Sequence, residues 1–152
     1  MRVEVVDEAR TRGLRRRVLR PGDAAAPAPG DGPGSVHLAA LDDTGAVVGS
    51  AALLPGPAPQ SVPDHGAPFQ LRGMAVEPGL RGRGVGSALL RACLAEAATR
   101  GAGLLWCNAR VTAVAFYERH GLRTAGGEFV SPATGVRHVE MWVEPGGATS
   151  SE

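Results

Sequence analysis

Arg81-Gly82-Arg83-Gly84-Val85-Gly86 packs three glycines and two arginines into six residues. It lies between an apolar run, FQLRGMAV (69–76), and a long Ala/Leu/Arg segment, SALLRACLAEAATRG (87–101). A strand, a glycine turn and a helix in that order suit an anion. Glycines let backbone N–H groups approach without interference from a Cβ, and the helix start adds the positive end of its dipole. Arg81 and Arg83 can add charge-assisted contacts to a pyrophosphate or a 3′-phosphate. Three phosphate loops compete for this reading. The Walker A loop needs a lysine, and all sixteen basic residues of this chain are arginine. The dinucleotide fingerprint needs a third glycine where Ser87 or Leu89 stands, and here the motif follows a late strand rather than the first. The third pattern, Arg/Gln-x-x-Gly-x-Gly/Ala, fits at every position. The plain alternative is a tight strand–helix turn in a glycine-rich chain.

Other reactive residue types are sparse. Cys93 and Cys107 fall in a helical and a strand pattern, and without a secretory leader they read as reduced, buried thiols. His37, His65 and His120 show no metal-ligand spacing with them, so no metal site is expected. Arg12, Arg15, Arg16, Arg17 and Arg20 form a basic cluster. With six aromatic residues in the whole chain and a formal net charge of +1, nucleic acid is not an expected partner. The cluster reads as a solvated helix face paired with Asp7 and Glu8. No stretch reaches membrane-span length, and the first residues, MRVEVVDEAR, lack an apolar signal core. A soluble, cytoplasmic protein with no membrane partner is the expectation.

The elements that must position these residues follow from periodicity. Residues 2–6 alternate as a strand, and 7–22 carry Leu14, Val18 and Leu19 at helical spacing with Pro21-Gly22 as the stop. Residues 23–34 read as a flexible loop. Two apolar runs around DDTG within 35–56 form a hairpin, and 55–68 is a Pro-rich loop of the kind that covers a site. Gly73 breaks the strand at 69–76, marking a bulge or a close approach to a ligand. A helix spans 85–100, with Gly101 closing it, and a buried strand spans 103–110. Thr112 is placed to cap a short helix at 113–121. A hairpin at 125–145 turns at SPATG. The result is one mixed α/β sheet domain over 1–145, with 146–152 as a disordered tail.

LRGMAVEPGLRGRGVGSALL resembles the acetyl-CoA-binding strand, pyrophosphate loop and helix of the GNAT superfamily of N-acetyltransferases. NARVTAVAFYERHGL resembles that family's next signature, an Asn on a strand followed by a short helix with Phe-Tyr. The closing GGEFVSPATGVRHVEMW resembles the ElaA-like branch. The resemblance covers 69–145 by motif and 1–54 by element order. It implies a mixed, mostly antiparallel sheet flanked by helices on both faces.

It also implies roles. Acetyl-CoA would be the acyl donor, its pantetheine pairing with the backbone of Met74, Ala75 and Val76. Its pyrophosphate would sit on the amides of Arg81, Gly82, Arg83, Gly84, Val85, Gly86 and Ser87. Asn108 matches a position that bonds the pantetheine; the alternative is a buried strand-end cap. Phe116 lies beside the cofactor. A neutral amine attacks the thioester directly, which requires a base, oxyanion donors and an acid for the leaving thiolate. Backbone amides near 73–75 suit the oxyanion. Tyr117, the only tyrosine, stands where the family often has its acid; the alternative is that its ring packs and its hydroxyl bonds a backbone carbonyl. Relatives carry a basic Glu on the cofactor strand, where this chain has Gln70, and Glu77 sits nearby at the turn. His138 and Glu128, on the acceptor-side hairpin, are the candidate base and its orienting or amine-selecting partner; a water chain is the alternative. The acceptor would be a small-molecule or peptide amine. The oligomeric state is left open, a homodimer included. Two other readings share the loop: a non-catalytic acyl-CoA-binding module or sensor, and a dinucleotide-binding protein.

Overall fold

The computed structural model describes residues 1–19, 32–63, 66–132 and 134–146. The expected helix stop at Pro21-Gly22, most of the loop at 23–34, and the tail from 147 onward lie outside them. In chain order the elements are β1 (Arg2–Val6), α1 (Glu8–Leu19), β2 (Val36–Leu41), β3 (Val47–Pro55), β4 (Pro68–Val76), α2 (Val85–Thr99), β5 (Leu104–Arg110), α3 (Val114–Arg119), β6 (Arg123–Val130) and β7 (Arg137–Val143). One seven-stranded sheet runs in the order β1-β2-β3-β4-β5-β7-β6. It is mostly antiparallel, with β4 and β5 parallel through Pro68–Gln70 and Leu104–Trp106. Two compact units share it: Met1–Leu54 with Leu71–Glu96, and Pro55–Gln70 with Ala97–Glu152.

In the first unit, every residue of β2 is buried, so both faces of the sheet are covered at that strand. The β2–β3 turn is built by Asp42, whose carboxylate accepts from Thr44 and Ala46 while Gly45 takes a φ of +86°. On one face α2 lies so close that a Cβ at Gly49 would stand 2.8 Å from Leu89 and 2.9 Å from Val85. Val85, Leu89, Leu90, Cys93 and Ala97 form the buried stripe of α2, the four-residue step expected from sequence. Gly101, with a φ of +80°, closes the helix: its N–H donates to Ala98 and that of Ala102 to Ala97.

The basic cluster on α1 is not the uniform solvated face its composition suggests. Arg12 pairs with Glu8 as expected, yet Arg15 is fully buried. Its guanidinium donates to the Thr11 hydroxyl at 2.9 Å and to the Glu8 carbonyl at 3.0 Å. A buried guanidinium needs such acceptors, and the helix's own first turns supply them.

In the second unit, β5 and β7 pair along their length, from Leu105 with Val143 to Arg110 with His138. The Pro-rich loop packs down on this sheet through Val62, which clusters with Leu104, Trp106, Ala58, Ala125 and Trp142. The short helix differs in its start from the expectation. A 3₁₀ turn at Val111–Ala113 precedes α3, and no side chain caps it, so Thr112 lies inside that turn instead of capping. Its end is as expected: Gly121 has a φ of +91°, and Leu122 N–H reaches back to the Tyr117 carbonyl.

Candidate active site

The candidate residues fall into two local sets. Met74, Ala75, Val76 and 81–87 belong to the first unit. Gly73 interrupts β4 with a φ of +64°, and its carbonyl accepts from the Ser50 hydroxyl at 3.0 Å. That is the local break the sequence marked. After Val76 the Glu77 N–H donates to the Val48 carbonyl, and a 3₁₀ turn at Pro78–Leu80 leads into the glycine loop.

Gly82 and Gly84 both take the left-handed conformation, with φ of +79° and +83°. A Cβ on either would meet nothing within 4 Å, so conformation and not crowding demands glycine here. The turn ends where α2 starts at Val85, which leaves the first amides of a fifteen-residue helix without intrahelical acceptors. Arg81 and Arg83 are exposed, and among the described residues neither guanidinium has a hydrogen-bond or ion-pair partner. Two uncommitted cations beside a turn of helix-start amides fit a phosphate-bearing group on the chemistry of the donors alone.

Glu77 is engaged elsewhere. Its carboxylate holds the guanidinium of Arg17 at 2.7 and 3.3 Å. That hydrogen bond holds the Glu77 carboxyl below its usual range, so it is a poor proton acceptor.

Asn108, Phe116, Tyr117, Glu128 and His138 belong to the second unit. Asn108 is exposed and lies two residues before the end of β5, and its side chain makes no hydrogen bond among the described residues. The buried strand-end cap is therefore not its role; its amide is available. Tyr117 is the one buried residue of α3, and its ring meets that of Phe116 edge-on at 5.1 Å.

His138 is buried on β7 and its ring stacks on Phe129 at 5.9 Å. Its Nδ1 lies 2.8 Å from the Val136 carbonyl. A carbonyl can only accept, so Nδ1 carries a proton, and in the neutral form of the ring Nε2 is the acceptor. Glu128 does not orient this ring. It pairs with Arg137, the exposed residue preceding His138, at 3.3 Å. Strand alternation sends Arg137 and His138 to opposite faces, so Glu128 follows the arginine.

Cys93 and Cys107 are buried, and burial pushes both thiols up to about 12. They are inert at neutral pH. The Pro-rich loop carries an open depression of about 540 Å³ lined by Pro57, Pro59, Gln60, Val62, Pro63 and Pro68 among others. Among the described residues, no ionisable side chain lines it.

The acetyltransferase (GNAT) family pattern matches residues 18–122, more than half of the chain. The chain belongs to the GNAT acetyltransferase family. It is an acyl-CoA-dependent N-acyltransferase, the activity of that family. An N-acetyltransferase of Bacillus subtilis, YitI, itself uncharacterised, is 29% identical over 147 residues, 93% of this chain and 95% of that protein. An aminoglycoside 6′-N-acetyltransferase crystallised with coenzyme A shares the fold with a TM-score of 0.70 and 16% identity, covering 95% of this chain and 97% of its own. Escherichia coli ElaA shares it with a TM-score of 0.72 and 16% identity, over 93% and 98%. At these identities the two structures speak for the GNAT fold. Among the described residues, no helix is long and apolar enough to cross a membrane.

The sequence reading missed Arg15, whose burial no local pattern announces. It also missed Glu140 on β7, taken up below.

Proposed function

We propose that the chain transfers the acetyl group of acetyl-CoA to a primary amine by direct attack in a ternary complex, within a single domain over 1–145. The observation that carries the proposal is the turn at 81–87: two left-handed glycines, two arginines without a partner among the described residues, and the start of α2.

The amides of 81–87 take the pyrophosphate, with Arg81 and Arg83 on its outer oxygens. Met74, Ala75 and Val76 offer backbone groups to the pantetheine in the manner of an added strand, and the Asn108 amide bonds the same arm. Phe116 packs beside it. Backbone N–H groups after Gly73 serve the oxyanion, which needs no particular side chain. The attacking amine must be neutral. His138 Nε2 is the acceptor for its proton, since Nδ1 is already committed to Val136. The Tyr117 phenol donates to the leaving thiolate. An unperturbed phenol titrates near ~10, close enough to a thiol for that exchange.

Titration calorimetry with acetyl-CoA, followed by thiol release over a panel of small amines and peptide N-termini, tests the proposal. Micromolar binding with amine-dependent thiol release is the expected result. Binding without release across the panel would favour the non-catalytic module, and no binding at millimolar ligand would remove the donor assignment.

A further inference from the structure

Glu140 stands in the middle of β7, directly opposite Asn108 on β5 and Ala125 on β6. Strand alternation puts its side chain on the same face as His138, two residues before it, and Trp142, two residues after. Among the described residues Glu140 has no arginine, as is also true of Asp42 and Glu118, and what sets it apart is the place where it stands. Glu4, Glu8, Glu77 and Glu128 each hold an arginine: Arg2, Arg12, Arg17 and Arg137. Glu140 holds none among the described residues. Its one partner there is the Ser61 hydroxyl, which reaches in from the Pro-rich loop. The arginine that stands opposite Trp142, Arg123, is occupied over the indole ring at 5.3 Å.

The backbone beside this carboxylate is opened on purpose. Between Ala125 and Phe129, β6 advances four residues while β7 advances two, from Glu140 to His138. The surplus leaves the ladder as a bulge. Gly126 begins it with a φ of +69°. A Cβ there would come within 3.4 Å of Ser61 Cβ and 3.9 Å of Glu140 Oε1. Loop, bulge and strand thus converge on one carboxylate that holds no arginine among the described residues.

We infer that Glu140 is the specificity residue for the acceptor: it binds a second cationic group of the amine substrate, at a distance from the nitrogen that is acetylated. The inference rests on the reading of this chain as an amine N-acetyltransferase. A carboxylate against the reacting nitrogen would keep that nitrogen protonated and unreactive. A carboxylate one strand-pair step away from the proton acceptor holds a cation while leaving the reacting amine free to become neutral. Glu140 and His138 are separated by about 6.6 Å along the strand, at roughly 3.3 Å per residue. A four-carbon diamine has that reach. Ser61 fixes the carboxylate, and Gly126 gives the bulge beside it its left-handed turn.

The test compares 1,4-diaminobutane with 1-butylamine as acceptors at saturating acetyl-CoA, with coenzyme A affinity measured in parallel by calorimetry. Wild-type protein is expected to favour the diamine in kcat/KM. Glu140→Gln keeps an oxygen for Ser61 but removes the charge. It should lower the diamine-to-butylamine ratio about tenfold or more, through the diamine KM, with coenzyme A affinity unchanged. Glu140→Asp should retain most of the preference, and Ser61→Ala, which keeps the charge, should retain part of it. Equal loss for both amines in Glu140→Gln would show that Glu140 merely latches the loop, and would overturn the inference. So would wild-type protein with no preference, or one that binds coenzyme A but turns over neither amine. Failure of the wild type to bind coenzyme A would instead sink the donor assignment beneath it.

Discussion

Arg17 on α1 grips both carboxylate oxygens of Glu77, sixty residues away, at 2.7 and 3.3 Å. Glu77 is also held through its backbone N–H by Val48. The residue that opens the path to the glycine loop is thereby tied to a helix and to a strand. The same grip removes Glu77 from the list of bases.

Breaking that grip should loosen the loop without touching the chemistry. Arg17→Ala is expected to raise the KM for acetyl-CoA two- to fivefold, with kcat within a factor of two. The pair also has a pH signature. Arg17 lowers the Glu77 carboxyl from its ordinary value near 4.5. A carboxyl lowered in the folded state contributes stability above its unfolded value and loses it as pH falls through the folded value. The melting difference between wild type and Glu77→Gln should therefore be constant at neutral pH and shrink only on acidification below about 4.5. Both groups are solvent-exposed, so the difference should also fall with added salt. A melting difference that persists at pH 2 would contradict the assignment.

Gly84→Ala should damage donor binding more than folding. An alanine held at a φ near +83° is strained by about 1–2 kcal/mol, and relief comes from turning the loop amides away. Coenzyme A affinity is expected to fall about tenfold or more by calorimetry. Arg81→Ala and Arg83→Ala should each weaken it by a smaller factor that shrinks in high salt. An unchanged affinity for Gly84→Ala would detach the loop from the donor.

Tyr117→Phe keeps the buried ring and its edge contact with Phe116 and deletes only the hydroxyl. If the phenol is the acid, kcat should drop about a hundredfold, within the usual range for general acid–base groups, while the KM for acetyl-CoA stays within threefold. Equal kcat in the two proteins would remove the role.

His138→Gln tests the base through the shape of the pH–rate profile. With Nδ1 donating to Val136, protonation of Nε2 abolishes its acceptor capacity, so wild-type kcat/KM should fall on the acid side. The variant should lose that acid limb along with most of its rate at neutral pH. An acid limb that survives the substitution would assign the proton transfer to water.

The two cysteines should be silent. Burial holds both thiols near 12, so a thiol reagent should count neither in the native protein at pH 8 and both after denaturation. Rapid labelling of the folded chain would place a thiol nearer the surface than found here.

Local pattern alone determined a good part of this protein. The four-residue stripe of α2, the Gly101 and Gly121 helix ends, the Asp42–Gly45 hairpin turn and the Arg81–Gly86 loop each depend on neighbours a few residues apart, which is what periodicity and turn chemistry register. Partnership across the chain was not readable that way. Nothing near Arg15 announces that it is fully buried, because helical spacing records where a side chain points and not what covers it. Glu128 and His138 look like a pair when the hairpin is read as a string, yet pairing set Arg137 beside Glu128 and turned His138 to Val136. Glu140 passed as an ordinary strand glutamate. Only the β6 bulge and the Ser61 hydroxyl beside it single it out, with no arginine on it among the described residues. Charge partners are chosen in three dimensions, since Coulomb attraction follows distance through space and takes no account of separation along the chain.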